Sequence, residues 1–198
     1  MSLGTAILEA DRSAFLAING AHSPWADAFF WQASRLELWI PLYVFFLVLL
    51  QRRWGWRGLA WSVPVIGLMV LCTDTGSVVL FKNTVQRLRP SHAADLQGLV
   101  HLVRGEDGKL FTGGAFGFVS SHASNHFGIA SFMVGILQNR PRWALPLLFG
   151  WAGLIAFSRV YLGVHYPGDV IVGGLYGAFI GLLAFRLFLF LHQRFSAP

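Results

Sequence analysis

The chain has 198 residues, of which 55% are apolar and only 12% charged, and its mean hydropathy is +0.57. A soluble domain carries about twice that charged fraction, so a typical cytosolic enzyme, a disordered chain and a coiled coil are excluded. The net charge of +6 is split into small basic groups between apolar runs, the pattern of membrane-span borders rather than of a nucleic-acid-binding stripe. With 18 Phe and 8 Trp, an integral membrane protein is the reading, with the lipid bilayer as partner and no nucleic acid. The single cysteine, Cys72, excludes an intramolecular disulfide framework and a cysteine zinc site, and is expected to pack within its apolar run.

The length suits one membrane-embedded domain, residues 1–198. Residues 1–35 form its N-terminal region. Leu3 to Asn19 is mildly amphipathic, and Glu9, Asp11 and Arg12 interrupt its apolar residues, so neither a secretory signal nor an easy span is read there. An interfacial helix stopping at Asn19-Gly20 is expected. Ser23-Pro24 then reads as an N-cap followed by proline at the first helical position. Five apolar stretches follow: about Leu36–Leu50, Leu59–Phe81, Val119–Leu137, Trp143–Leu162 and Val170–Leu191. The first is short for a span and is expected to begin earlier or tilt. The fold class is therefore all-α, a polytopic helical bundle of five spans, or six if residues 1–35 also cross. Gly173, Gly177 and Gly181 form a smooth ridge for close helix packing.

Arg52, Arg53, Arg57, Arg140, Arg142, Arg186 and Arg194 fall on one side, which the positive-inside rule assigns to the cytoplasm. The opposite side holds the connection from Lys82 to Phe118, a length usual for functional loops. Its five basic residues, Lys82, Arg87, Arg89, Arg104 and Lys109, contradict the charge rule unless some have another task.

Three clusters lie at the outer ends of spans: Lys82-x6-Arg89-Pro90, Ser120-Ser121-His122, and Ser158-Arg159-x5-His165-x3-Asp169. Lys82, Arg89 and Arg159 supply three positive charges suited to phosphate oxygens. Crowding them is costly unless an anion joins them. Of the two histidines, one can attack phosphorus and the other can protonate the leaving oxygen. If a helix begins near Asp169, His165 and Asp169 share a face and the carboxylate holds one ring nitrogen.

These motifs resemble the type 2 phosphatidic acid phosphatase family, whose site is shared with vanadium haloperoxidases. The family pattern is Lys-x6-Arg-Pro, Pro-Ser-Gly-His and Ser-Arg-x5-His-x3-Asp. The first stands here as KNTVQRLRP and the third as SRVYLGVHYPGD, while the second is altered to VSSH at Val119–His122. The intervening gaps of 28 and 35 residues suit the family, and the resemblance spans roughly residues 59–192, the catalytic core. It implies His165 as nucleophile through a phosphohistidine, Asp169 as its orienter, and His122 as general acid and then base. It implies Lys82, Arg89, Arg159, Ser120 and the Ser121 amide as phosphate contacts, with no metal and no cofactor. Val119 in place of proline loosens the start of span three. Ser121 in place of glycine keeps the amide and brings a hydroxyl that can add a donor.

Outside the motifs, His126 lies one helical turn after His122 and can line the same pocket. Arg87 is a secondary anion contact by position. Asp74, inside a span, needs a partner and reads as orienting a catalytic cation. His92 and His101 are candidates to meet a headgroup. The function read is an integral membrane phosphatase that cleaves a phosphomonoester or pyrophosphate of a lipid at the outer surface of a bacterial inner membrane. Undecaprenyl pyrophosphate is favoured over phosphatidic acid, phosphatidylglycerol phosphate and lipid A phosphates. A phosphotransferase using the same intermediate and a non-catalytic lipid-phosphate binder or transporter are the alternatives. A haloperoxidase is disfavoured by the apolar spans.

Overall fold

The computed structural model describes residues 2–137 and 141–196, with the side chain of Ser196 left aside. These form helices α1 (Leu3–Gly20), α2 (Pro24–Ala33), α3 (Leu36–Gly76), the one-turn α4 (Asn83–Val85), α5 (Ser121–Ile136), α6 (Ala144–Tyr161) and α7 (Pro167–Ser196). A π-helical segment, Ser77–Lys82, joins α3 to α4. Apart from isolated bridges in the long connection, strand pairing is absent among the described residues. The chain is thus all-α, and α3 with its extension to Val85, α6 and α7 are long and apolar enough to cross a membrane.

The two apolar stretches expected around residues 36–50 and 59–81 are two limbs of α3. Gly55, at φ 68° and ψ −176°, breaks the helix between them. Leu36 and Val70 line one cavity, although a straight helix would hold them about 50 Å apart. The chain therefore reverses at Gly55, where a positive φ suits a residue without Cβ. The first limb starts at Leu36, no earlier, and gains its length by running on to the reversal.

The bundle has two chemically distinct ends. At the far end Trp54 Nε1 donates to the Ile136 carbonyl (3.3 Å) and its ring meets His192 edge-on. Arg52, Arg53, Arg57, Arg142 and Arg194 lie in the segments that meet there; Arg140 lies outside the described residues. Between the ends, Phe46, Leu50, Met69, Phe132, Ile136, Trp151, Ile155 and Phe188 form the core. Large apolar side chains such as Phe45, Val48, Leu71, Leu175, Phe179 and Phe190 face outward, as a lipid-facing surface requires. Cys72 belongs to that surface: it is exposed beside Leu68 and Leu71, not packed, because its helix face turns away from the core.

The near end carries the N-terminal helices. Ser23 caps α2 by accepting from the Ala26 amide, with Pro24 at the first helical position, as its sequence demands. The buried Asn19 ties the end of α1 down: its Nδ2 donates to the carbonyls of Tyr161 (2.7 Å) and His101 (2.9 Å), and its Oδ1 accepts from the His101 amide (2.8 Å). Neither α1 nor α2 is among the helices fit to cross a membrane. His101 pairs with Asp27 and stacks on His22, so it braces this end instead of meeting a headgroup. His92 is exposed beside Ser91.

α5 and α7 approach most closely along the glycine ridge. A Cβ on Gly177 would overlap the Ser124 backbone, and one on Gly173 would stand 2.8 Å from the Ser120 carbonyl. This close approach sets His122 on α5 at the same depth as the turn before α7. Gly177→Leu is therefore expected to destabilise the fold by about 1–3 kcal/mol, read as a lowered thermal midpoint in detergent, whereas Gly153→Leu, at an open position, leaves the midpoint nearly unchanged.

Candidate active site

The three motif clusters meet at the near end. A cavity of about 330 Å³ is lined there by Ser34, Leu36, Asp74, Arg89, Ser121, His122, Asn125 and His126. Leu36, Asn125 and His126 are shared with an apolar cavity of about 310 Å³ between the limbs of α3 and α5. A polar chamber thus opens directly onto an apolar slot.

His165 lies in the turn between α6 and α7, and Asp169 in the first turn of α7. The expectation of a shared helix face is corrected: α7 starts at Pro167, so the pair closes across a helix start. His165 Nδ1 lies 3.3 Å from Asp169 Oδ2, which also accepts from the Tyr166 amide (3.0 Å). An acidic side chain three positions into a helix that accepts from the amide preceding the helix is half of a capping box. The Gly117 backbone comes close to the same Nδ1 edge of the ring. A Cβ at Gly117 would stand 2.8 Å from Asp169 Oδ2, so the loop can approach this closely only as glycine. With Nδ1 carrying the proton toward these acceptors, Nε2 is left with a free lone pair. Burial foremost, then the charges of Arg89, Arg159 and Lys82, hold the His165 pKa well below its ordinary value. The ring is therefore neutral, and nucleophilic, at pH 7.

The cations have few competitors. Arg159 is 4% exposed, its Nε has no hydrogen-bond partner, and its guanidinium lies 5.1 Å from the Phe111 ring centroid. Arg89 Nε donates to the Phe116 carbonyl (3.1 Å), and burial lowers its pKa while Asp169 opposes that shift. Lys82 Nζ donates to Ser121 Oγ (2.7 Å). Among the described residues none of the three forms a salt bridge with a carboxylate. Three mutually repelling, partly desolvated cations suit a multiply charged anion such as a phosphate.

Ser121 itself is spoken for. Ser77 Oγ donates to the Asp74 carbonyl (2.7 Å) and lies 2.6 Å from Ser121 Oγ. Each hydroxyl has one proton, so Ser121 accepts from Lys82 and donates to Ser77. The extra donor expected of this hydroxyl is consumed, and its amide, at the N-terminus of α5, is what remains for an anion. Ser120, also expected among the phosphate contacts, is fully buried and caps α5 by accepting from the Ala123 amide. His126 does line the cavity. Its Nδ1 lies 2.7 Å from the His122 carbonyl, and its Nε2 lies 3.0 Å from Tyr43 Oη.

Arg87 is the largest departure from expectation. It is not an anion contact: Nη1 pairs with Asp169 Oδ1 (3.0 Å), Nη2 pairs with Asp11 Oδ2 (2.7 Å), and the guanidinium covers the Tyr166 ring (3.8 Å). Asp11 Oδ1 in turn accepts from the Gly168 amide (2.7 Å) at the start of α7. A chain Asp11–Arg87–Asp169–His165 thus links α1, the long connection and the histidine. Sequence reasoning missed Asp11, because it lies 157 residues from Gly168 and outside every motif.

The PAP2 superfamily profile matches residues 59–193. A lipid A 4'-phosphatase of Bacteroides thetaiotaomicron is 34% identical over 188 residues, covering 94% of this chain and 79% of that protein. One from Porphyromonas gingivalis is 32% identical, covering 95% and 77%. Among solved structures, a PAP2-type phosphatidylglycerolphosphate phosphatase of Bacillus subtilis superposes with a TM-score of 0.63 at 24% identity, covering 96% of this chain and 88% of that one. Aquifex aeolicus LpxE superposes at 0.59 with 23% identity, covering 88% and 93%. The chain belongs to the PAP2 superfamily. It is a membrane-embedded lipid phosphatase, a hydrolase of that metal-independent group.

Removing Arg87 should misplace the Asp169–His165 pair without touching substrate. Arg87→Gln is expected to lower kcat by about a hundredfold with little change in KM, and Arg87→Lys to recover part of it. Steady-state kinetics on a lipid phosphate check this. Equal effects on kcat and KM in both variants would contradict a positioning role.

Proposed function

We propose that this chain is a phosphatase of the lipid A 4'-phosphatase type, removing a phosphomonoester from a phosphorylated sugar lipid through a phosphohistidine. The observation that carries the chemistry is a set of three cations without carboxylate salt bridges around His122: Arg89 lines the chamber with it, Lys82 reaches the chamber wall at Ser121 Oγ, and Arg159 and the neutral His165 lie close enough to act on His122 electrostatically. The substrate class is supported by relatives that match nearly the whole chain. An undecaprenyl-diphosphatase of Sulfolobus acidocaldarius matches only 34% of this chain, at 41% identity. The preference therefore moves from undecaprenyl pyrophosphate to a lipid A phosphate.

In this reading the phosphate sits among Lys82, Arg89, Arg159 and the Ser121 amide, with the lipid body in the apolar slot beside Leu36. His165 Nε2 attacks phosphorus, the phosphorus–oxygen bond to the lipid breaks, and His122 gives that oxygen a proton. Water then attacks the phosphohistidine, His122 takes the water's proton, and inorganic phosphate leaves with His165 restored. The cations and the amide hold the equatorial oxygens, where negative charge is spread in the transition state. Asp169 and Arg87 keep the ring turned.

We infer five membrane crossings: the two limbs of α3, then α5, which is not among the helices long and apolar enough by themselves but runs from the chamber to Ile136 at the far end, then α6 and α7. The arginines of the far end support a cytoplasmic location for it. The chamber then faces the periplasm of a bacterial inner membrane, with α1, α2 and the long connection as its cover.

Purified protein in detergent with excess EDTA is expected to release phosphate from lipid A faster than from phosphatidic acid or undecaprenyl pyrophosphate. His165→Ala should abolish turnover with the thermal midpoint retained. Phosphate release by that variant would overturn the mechanism, acceptor-dependent transfer would point to a phosphotransferase, and binding without turnover by the wild type would point to a carrier.

A further inference from the structure

The chamber has a second wall that the phosphate chemistry does not use. Asp74 and Asn125 line it together with Arg89, Ser121 and His122. The Asp74 carboxylate makes no hydrogen bond to any described residue; it is its backbone carbonyl that takes Ser77. It attracts Lys82 through space, yet no salt bridge joins them. A carboxylate beside a bound phosphate is repulsive and can only accept hydrogen bonds when ionised. Asp74 is exposed, so water satisfies it in the free protein; a headgroup that displaces this water must bring its own donor next to the phosphate ester.

Asn125 supplies the complement. The single proton of Thr73 Oγ1 goes to the Asn125 carbonyl oxygen, its nearest acceptor at 2.6 Å against 3.1 and 3.0 Å for the Met69 and Val70 carbonyls, which leaves the Asn125 amide nitrogen as a donor. The residue also lines the apolar slot. Asn125 therefore stands between the phosphate cradle and the slot, where the body of a headgroup passes, and Asp74 lies on the wall of the same chamber. An acceptor and a donor side by side match a hydroxyl, which is both. They do not match the glycerol esters of phosphatidic acid, whose oxygens only accept.

We propose that Asp74 and Asn125 form a subsite that recognises a hydroxyl or amide N–H on the phosphate-bearing alcohol, the chemistry of a phosphorylated sugar. The subsite rests on the phosphatase reading of the chamber and narrows its substrate.

The test is kcat/KM for lipid A and for dipalmitoyl phosphatidic acid, measured in one detergent with wild type, Asp74→Ala and Asp74→Asn. Thermal midpoints are taken alongside to confirm folding. The lipid A to phosphatidic acid ratio is expected to fall at least tenfold in Asp74→Ala and less in Asp74→Asn, which keeps one acceptor oxygen. An unchanged ratio in both variants, with both substrates slowed together, would overturn the subsite and assign Asp74 to Lys82 instead. Wild type that cleaves phosphatidic acid but not lipid A would overturn the subsite and the sugar-lipid reading together. Wild type that cleaves neither would overturn the phosphatase reading itself.

Discussion

One buried carboxylate, Asp169, fixes the near end of the bundle. It is fully buried, and its groups are divided among four partners: Oδ1 to Arg87, Oδ2 to His165 and the Tyr166 amide, and its backbone carbonyl to the Ser120 amide. Those partners come from the long connection, the α6–α7 turn and the start of α5. The anchor of the histidine is thus also what joins three distant segments. A buried charge of this kind is costly unless all its lone pairs are satisfied. Here both oxygens are engaged, by three partners between them, and through Arg87 the network extends to Asp11 on α1. The N-terminal helix, which lies outside the family-matched residues 59–193, is therefore tied to the site by ion pairs as well as by packing of Phe15 against Tyr166.

The same arrangement accounts for the basic residues of the long connection. Arg87 is neutralised by two carboxylates, Lys82 and Arg89 turn to the chamber, and Arg104 is exposed and donates to the Gly108 carbonyl. The connection is a folded roof: Leu96 and Val103 are buried, and Phe111 packs on Trp31 and over Arg159. The arginines at the far end lie in the segments that meet around Trp54 and Ile136. At the near end Arg87 and Arg89 are held by chemistry specific to the site.

Much of this was legible in the sequence because it is local. The Ser23-Pro24 helix start, the helical stretches and the glycine ridge each follow from spacing within one segment. The motif residues were also readable, since three fixed spacings placed them at one depth. What escaped depends on contacts between segments. Asp11 sits on an amphipathic helix and looks like any solvated acid until Arg87 and Gly168 are brought to it. Ser120 and Ser121 are adjacent and chemically identical, and only the start of α5 decides which one caps and which one faces the chamber. Arg87 lies two residues from Arg89, yet Arg87 pairs with Asp169 and Asp11 while Arg89 lines the chamber. Cys72 lay in an apolar run that reads equally as core or as lipid-facing surface.

The central claim is that a neutral His165, aimed by Asp169, attacks phosphorus directly. The most direct measurement mixes wild-type protein with phosphate-labelled lipid A, quenches within the first turnover in alkali, and maps the label by peptide. A phosphohistidine survives alkali and is lost in acid. The account predicts alkali-stable, acid-labile label on the peptide containing His165. Label on another residue, or none while phosphate is being released, would contradict it.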